Sequence, residues 1–152
     1  MCIRDRIITT VTISKISHKY ALAKFHIIDL ALKGAKNPID EFVKRFKKSS
    51  NYKTIIDDII KIRKLKSKSH SLIVKKLGMA CSYPGTFNSS IHAILSSTNY
   101  QRAILKTIKA GGCNCSRANF IGAYFAALKG LNSIPKSWIK KTLPAQKILN
   151  QR

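Results

Sequence analysis

Three observations predict an all-α fold. Apolar residues recur at three- and four-residue spacing in one stretch after another, rather than alternating. Capping residues, glycines and prolines punctuate the chain at helix-length intervals. Ser116 to Lys129 is rich in alanine, glycine and aromatics on every side, as expected of a helix buried all round. At 152 residues the chain is the size of one domain and can close a core without disulfides or metals. Its 45% apolar and 23% charged residues exclude a disordered tail. No apolar run approaches the roughly 20 residues a membrane helix needs. No repeat of roughly 20 to 50 residues is visible, and seven or so helices are expected.

The β-branched stretch Ile7 to Ile16 is ambiguous between a strand and a frayed helix start. Ser17 can cap a helix to about Lys33, with Ala21, Phe25, Ile28 and Leu32 on its inner face and Gly34 ending it. Asn37-Pro38 opens the next helix, with Asp40 and Glu41 where the helix dipole favours anions and Phe42, Val43 and Phe46 inward. Tyr52 to about Leu65 places Tyr52, Ile55, Ile59 and Ile62 on one stripe, broadened by Ile56 and Ile60. Arg63 to His70 reads as a basic, solvated connector. Ser71 to Ala80 is helical, and Tyr83-Pro84-Gly85 breaks it. Thr86 can cap a helix with Phe87, Ile91, Ile94 and Leu95 inward. Thr98 or Asn99 caps another, with Ala103, Ile104, Thr107 and Ile108 inward, stopped by Gly111-Gly112. Gly130 ends the small-residue helix. Pro135 opens a short one through Trp138, which Pro144 ends.

The charge is lopsided: 29 Lys+Arg against 6 Asp+Glu gives a formal +23. All six acids (Asp5, Asp29, Asp40, Glu41, Asp57, Asp58) precede residue 59, and the 13 Lys and 4 Arg beyond them give +17 with no carboxylate. Clustered cations suit a nucleic-acid or phosphate surface. However, 22 of the cations are Lys and only 7 Arg, with 22 Ile beside them. That composition fits lysine drift under AT-rich codons, whereas groove readers lean on arginine. Two-carboxylate glycoside hydrolysis and magnesium catalysis both need acids, which the C-terminal two-thirds cannot supply.

Cys2, Cys81, Cys113 and Cys115 do not make a secreted disulfide framework, and Cys113 and Cys115 are too close for an easy bridge, so a reduced, cytoplasmic setting is expected. The histidines His18, His26, His70 and His92 are scattered singly, which disfavours zinc. The first six residues read as one frame of a transposon-end sequencing adapter, with residues 7–152 as the natural part and the true start upstream. One loop has unusual chemistry: Gly111-Gly112-Cys113-Asn114-Cys115-Ser116-Arg117. Small residues before a helix start let donor atoms converge on a ligand and favour an anion. A tight turn capped by Ser116 is the simpler alternative. His92 is read as a satisfied structural histidine, with a base or a phosphate contact as the alternative. Tyr83 and Trp138 are read as packing aromatics, with adenine stacking as the alternative.

Three segments carry a resemblance: Met79-Ala-Cys-Ser-Tyr-Pro-Gly-Thr-Phe-Asn-Ser-Ser-Ile-His-Ala-Ile94, Ala110-Gly-Gly-Cys-Asn-Cys-Ser-Arg-Ala-Asn-Phe-Ile-Gly-Ala123 and Ile134-Pro-Lys-Ser-Trp138. Together they resemble the C-terminal part of the ADP-ribosylglycohydrolase family, within it the branch of the J-crystallins and selenoprotein J. The resemblance is weaker from Ser17 to Met79. It implies a multi-helix bundle of which this chain is the C-terminal half, and a binuclear magnesium centre that helps hydrolyse the glycosidic bond of ADP-ribose.

In active members of the family the loop reads Gly-Gly-Asp-Thr-Asp and then Ser or Thr. Cys113 and Cys115 stand at the two aspartate positions and Ser116 at the hydroxyl position. Thiols are soft and magnesium is hard, so this loop is expected to hold no magnesium. The family's N-terminal acidic cluster has no counterpart, and Asp57-Asp58 reads as a solvated helix face. The resemblance thus implies a truncated, catalytically degenerate, crystallin-like member. An ADP-ribose-like ligand would meet Gly111, Gly112, Asn114 and His92, with Arg117 pairing with its pyrophosphate or lying outside the cleft. The missing N-terminal half of the domain is the implied partner. A basic nucleic-acid-binding module and a purely structural protein are the competing readings, and no membrane partner is expected.

Overall fold

The computed structural model describes residues 14–150, and among them every regular element is helical. The predicted all-α class is therefore observed. The adapter-like residues, the stretch 7–13 and Cys2 lie outside the described residues. The order is α1 (Lys15–Leu32), α2 (Pro38–Phe46), a 3-10 turn (Ser50–Tyr52), α3 (Lys53–Lys64), α4 (His70–Leu77) and α5 (Gly85–Leu95). It continues with α6 (Tyr100–Lys109), α7 (Asn114–Lys129), a 3-10 turn (Leu131–Ser133), α8 (Lys136–Lys141) and α9 (Leu143–Leu149). No helix among the described residues is long and apolar enough to cross a membrane.

Helix α5 is the centre. Every residue from Gly85 to Ile94 is buried, including Thr86, Asn88, Ser89, Ser90 and His92. α3, α4, α6 and α7 surround it, and α1 packs across α7. The polar residues survive burial by local bonding: Ser89 and Ser90 donate to the carbonyls of Gly85 and Thr86, each at 2.7 Å. The sequence had placed only an apolar stripe of α5 inward and reserved all-round burial for α7. α7 buries Phe120, Ile121, Tyr124 and Phe125 and leaves Ala118, Ala123 and Leu128 half-buried.

Several expected details are corrected. Ser14, not Ser17, caps α1: its side chain accepts from the Ser17 N–H. The buried face of α1 is Tyr20, Ala23, Ile27, Leu30 and Ala31, while Phe25 is 44% and Leu32 70% exposed. The 3-10 turn and α3 bury Tyr52, Ile55, Ile56, Ile59 and Ile62, as the stripe predicted, with Ile60 turned out. His70 begins α4 and is buried, so the basic connector ends before it. Thr86 lies inside α5 rather than capping it. Asn99 caps α6 by accepting from the Arg102 N–H at 2.9 Å. Ile108 is half exposed. Pro144 lies within α9 instead of ending the helical structure.

Asp57 is exposed as expected, but Asp58 is half-buried. It accepts from the Tyr20 hydroxyl at 3.1 Å and from Asn88 Nδ2 at 3.2 Å, which joins α1, α3 and α5. This carboxylate is a structural acceptor, not part of a solvated face.

Candidate functional site

The loop between α6 and α7 is built from the backbone outward. Gly111 and Gly112 have φ of +75° and +70°, a region that favours glycine. Gly112 also presses on the segment after α4. A Cβ there would lie 2.5 Å from the Met79 carbonyl oxygen. The same carbonyl accepts from the Cys113 N–H at 2.7 Å, so residues 79–81 and the loop are laced together. Gly112→Ala is expected to destabilise the protein by about 2 kcal/mol or more through left-handed strain and this clash, read as a lowered urea midpoint. Gly111→Ala has only the end of the Met79 side chain to displace and should cost less.

Cys113 is the N-cap residue of α7, with Asn114, Cys115 and Ser116 in its first turn. Ser116 is therefore inside the helix rather than its cap. The Cys113 sulfur lies 3.1 Å from Ser116 Oγ and 3.8 Å from the Cys115 sulfur. Hydrogen bonds from Ser116, first through its hydroxyl and then its N–H, followed by the Cys81 thiol, bring the Cys113 thiol down to about 7. Cys81, Cys113 and Cys115 are free thiols, Cys81 and Cys115 exposed.

Arg117 points into the protein. It is completely buried, with Nη2 donating to the Gly111 carbonyl and, at 2.8 Å, to Asn114 Oδ1. Nε donates to Thr107 Oγ1 at 3.4 Å, and Nη1 has no hydrogen-bond partner. Burial lowers its pKa, against the pull of the neighbouring Cys113 and Cys115 sulfurs. The guanidinium thus holds the loop from beneath, and a pairing with a ligand pyrophosphate does not fit this placement.

The chain of polar groups continues inward. His70 Nε2 lies 3.2 Å from Thr107 Oγ1, His70 Nδ1 lies 3.0 Å from His92 Nδ1, and His92 Nε2 lies 3.0 Å from the Leu65 carbonyl oxygen. A carbonyl only accepts, so His92 carries its proton on Nε2 and accepts at Nδ1. His70 must then donate from Nδ1 and accept the Thr107 hydroxyl at Nε2. Thr107 in turn accepts from Arg117. Every proton position follows from the Leu65 end. Both imidazoles are neutral in this arrangement. Burial, with the charges of His92, Arg117 and Lys106 adding to it, lowers His70 to about 3. Burial also lowers His92, against its bond to Leu65.

Of the residues singled out from sequence, Gly111, Gly112, Cys113, Asn114, Cys115, Ser116 and Arg117 form one site. His92 joins it only from below, through His70 and Thr107. The sequence pattern alone places His70 in a solvated connector, Thr107 in the core and Cys81 in no site. Tyr83 stacks on Tyr20 with centroids 5.1 Å apart, and Trp138 meets Tyr100 edge-on at 6.1 Å, so both are packing aromatics. Lys24 Nζ sits over the Tyr83 and Phe120 rings at 4.9 and 5.4 Å, and burial lowers it to about 8. Among the described residues no group of three His, Cys, Asp or Glu is arranged to hold a metal ion.

The sequence that builds this bundle and its glycine-pair loop matches the ADP-ribosylglycohydrolase family model over residues 8–151. The chain belongs to the ADP-ribosylglycohydrolase family. It is similar to crystallin J1A of Tripedalia cystophora, 37% identical over 81 residues, which is 53% of this chain and 25% of that protein. It is also similar to crystallin J1B of the same animal, 33% identical over 76 residues, 50% of this chain and 24% of that protein. The matched segment thus spans about a quarter of the length of either relative.

Proposed function

We propose that this protein is a catalytically degenerate, crystallin-like ADP-ribosylglycohydrolase, which keeps the family's loop as a binding element for an ADP-ribose-like ligand without magnesium-supported hydrolysis. The donor set carries this reading. The loop offers two thiols and one hydroxyl, and the hydroxyl is already engaged by Cys113. Magnesium demands near-octahedral oxygen ligands and parts with water reluctantly. Asp58 is committed to Tyr20 and Asn88. These residues do not fit a magnesium centre. What the loop retains is the N-terminus of a 16-residue helix, whose positive end suits a pyrophosphate.

Calorimetric titration with ADP-ribose, with and without magnesium, tests the reading. Binding at the same Kd in both conditions is expected, with no release of ADP-ribose from a glycosidic conjugate. Binding tightened by magnesium would overturn the degenerate site. A second reading, a purely structural protein, is supported by the likeness to two crystallins. It predicts no heat of binding in either arm. For the nucleic-acid reading, Arg63, Lys64 and Lys66 line a cleft of about 430 Å³ with Ser96, Ser97 and Thr98. Arg63 there is paired with Asp40, which weakens its claim on a phosphate.

A further inference from the structure

We propose that Cys81, Cys113 and Cys115 form a peroxide-responsive thiol site, in which Cys113 is the attacked sulfur and Cys81 resolves it to a disulfide that ties the segment after α4 to the start of α7. This uses the same loop as the proposed ligand site but stands whether or not ADP-ribose binds.

The geometry has three parts. First, Cys113 caps a long helix and touches Ser116 Oγ at 3.1 Å, so helix dipole and hydroxyl both stabilise a thiolate there. Second, the buried positive charge of Arg117 sits directly under the loop, donating to the Gly111 carbonyl and to Asn114 Oδ1 on either side of Cys113. With no hydrogen-bond partner on Nη1, that charge is incompletely neutralised. Third, two further free thiols belong to the same laced segments: Cys115, whose sulfur is 3.8 Å from that of Cys113, and Cys81, two residues beyond the Met79 carbonyl that accepts the Cys113 N–H at 2.7 Å. All three are at least partly exposed. The lowered Cys113 pKa supports the same assignment.

Cys81 is the better resolving partner. Cys115 sits in the first turn of α7, so a bond to Cys113 would require that turn to unwind. Cys81 lies outside helices, on a segment already held to the loop by the Cys113 N–H bond to Met79.

In the first step the Cys113 thiolate attacks a hydroperoxide oxygen, the O–O bond breaks, and the alkoxide or hydroxide leaves and takes a proton from water. The sulfur becomes a sulfenic acid. In the second, the Cys81 sulfur attacks the sulfenic sulfur, the S–O bond breaks, and the Cys81 proton leaves with the hydroxide as water. Two thiols and one hydroperoxide give one disulfide, one alcohol (or water) and one water.

Tryptic mapping separates the possibilities, because Cys81 falls in the peptide Leu77–Arg102 and Cys113 and Cys115 together in Ala110–Arg117. The purified chain is treated with one equivalent of hydrogen peroxide, alkylated and digested. Expected is a dithiothreitol-reversible cross-link of the two peptides, retained in Cys115→Ser and lost in Cys113→Ser. Cys81→Ser should instead accumulate a dimedone adduct on Ala110–Arg117. Circular dichroism of the serine variants confirms that they fold. An internal Cys113–Cys115 bond as the main product, a cross-link that survives Cys113→Ser, or equal oxidation of all three thiols would overturn the proposal.

Discussion

Replacing Arg117 by alanine is expected to destabilise the protein by about 3 to 5 kcal/mol, the upper range for a single substitution. Two effects add. Truncation leaves a cavity at a fully buried position, among the costliest places to lose volume. It also strips partners from the Gly111 carbonyl, Asn114 Oδ1 and Thr107 Oγ1, and buried acceptors left unpaired lose their share of desolvation without return. Arg117→Met separates the two. Methionine restores most of the volume and removes a buried charge that no carboxylate pairs, which itself can be favourable. The Met variant should therefore recover at least half of the loss in urea unfolding. Amide exchange across residues 111–114 should nevertheless remain faster than in the parent, because the loop's tether is gone. Equal losses for both variants would mean that hydrogen bonding, not volume, carries the whole effect. A loss under about 1 kcal/mol for alanine would mean that the buried tether is not there at all.

Arg117 also shows which parts were legible in the sequence. Helix positions follow from short-range patterns, and most were read to within a residue or two: Asn37-Pro38 opening α2, Asn99 capping α6, the Tyr52–Ile62 stripe. The loop's importance was legible from its glycines and thiols. What failed needed a third dimension. On α1, bulky Phe25 and Leu32 outweigh Ala23 in a periodicity reading, yet Ala23 is fully buried while Phe25 and Leu32 face solvent. The acid pair Asp57-Asp58 looks like one solvated feature, but neighbouring helix positions point about 100° apart, so one faces water and the other meets Tyr20 and Asn88. His70, His92 and Thr107 are separated by 22 and 15 residues in sequence, and no local pattern signals that α4, α5 and α6 would bring them into a single hydrogen-bonded chain.

That chain makes stability depend on acid in a defined window. His70 is held near 3 in the folded protein, against an ordinary value near 6.5 when the chain unfolds. The unfolded state therefore binds more protons than the folded one at any pH between these values, and stability falls as pH falls. The contribution is fully present above about pH 6.5 and is lost progressively toward pH 3. His70 alone gives a slope of about 1.4 kcal/mol per pH unit over most of that interval. His92 shifts in the same direction: protonating its Nδ1 puts two donors face to face across the 3.0 Å Nδ1–Nδ1 contact, and protonating His70 at Nε2 removes the acceptor of the Thr107 hydroxyl. Unfolding free energies measured by urea at pH 7, 6, 5 and 4.5 should thus fall by at least about 2 kcal/mol from the first to the last. Both rings take part, so His70→Asn should be less stable at pH 7 yet show a shallower slope, as its ionisable group is gone. Ser116→Ala, outside the chain, should keep the parent slope. A profile flat between pH 6.5 and 4.5, or an unchanged slope in His70→Asn, would show that the two imidazoles are not buried neutral against each other.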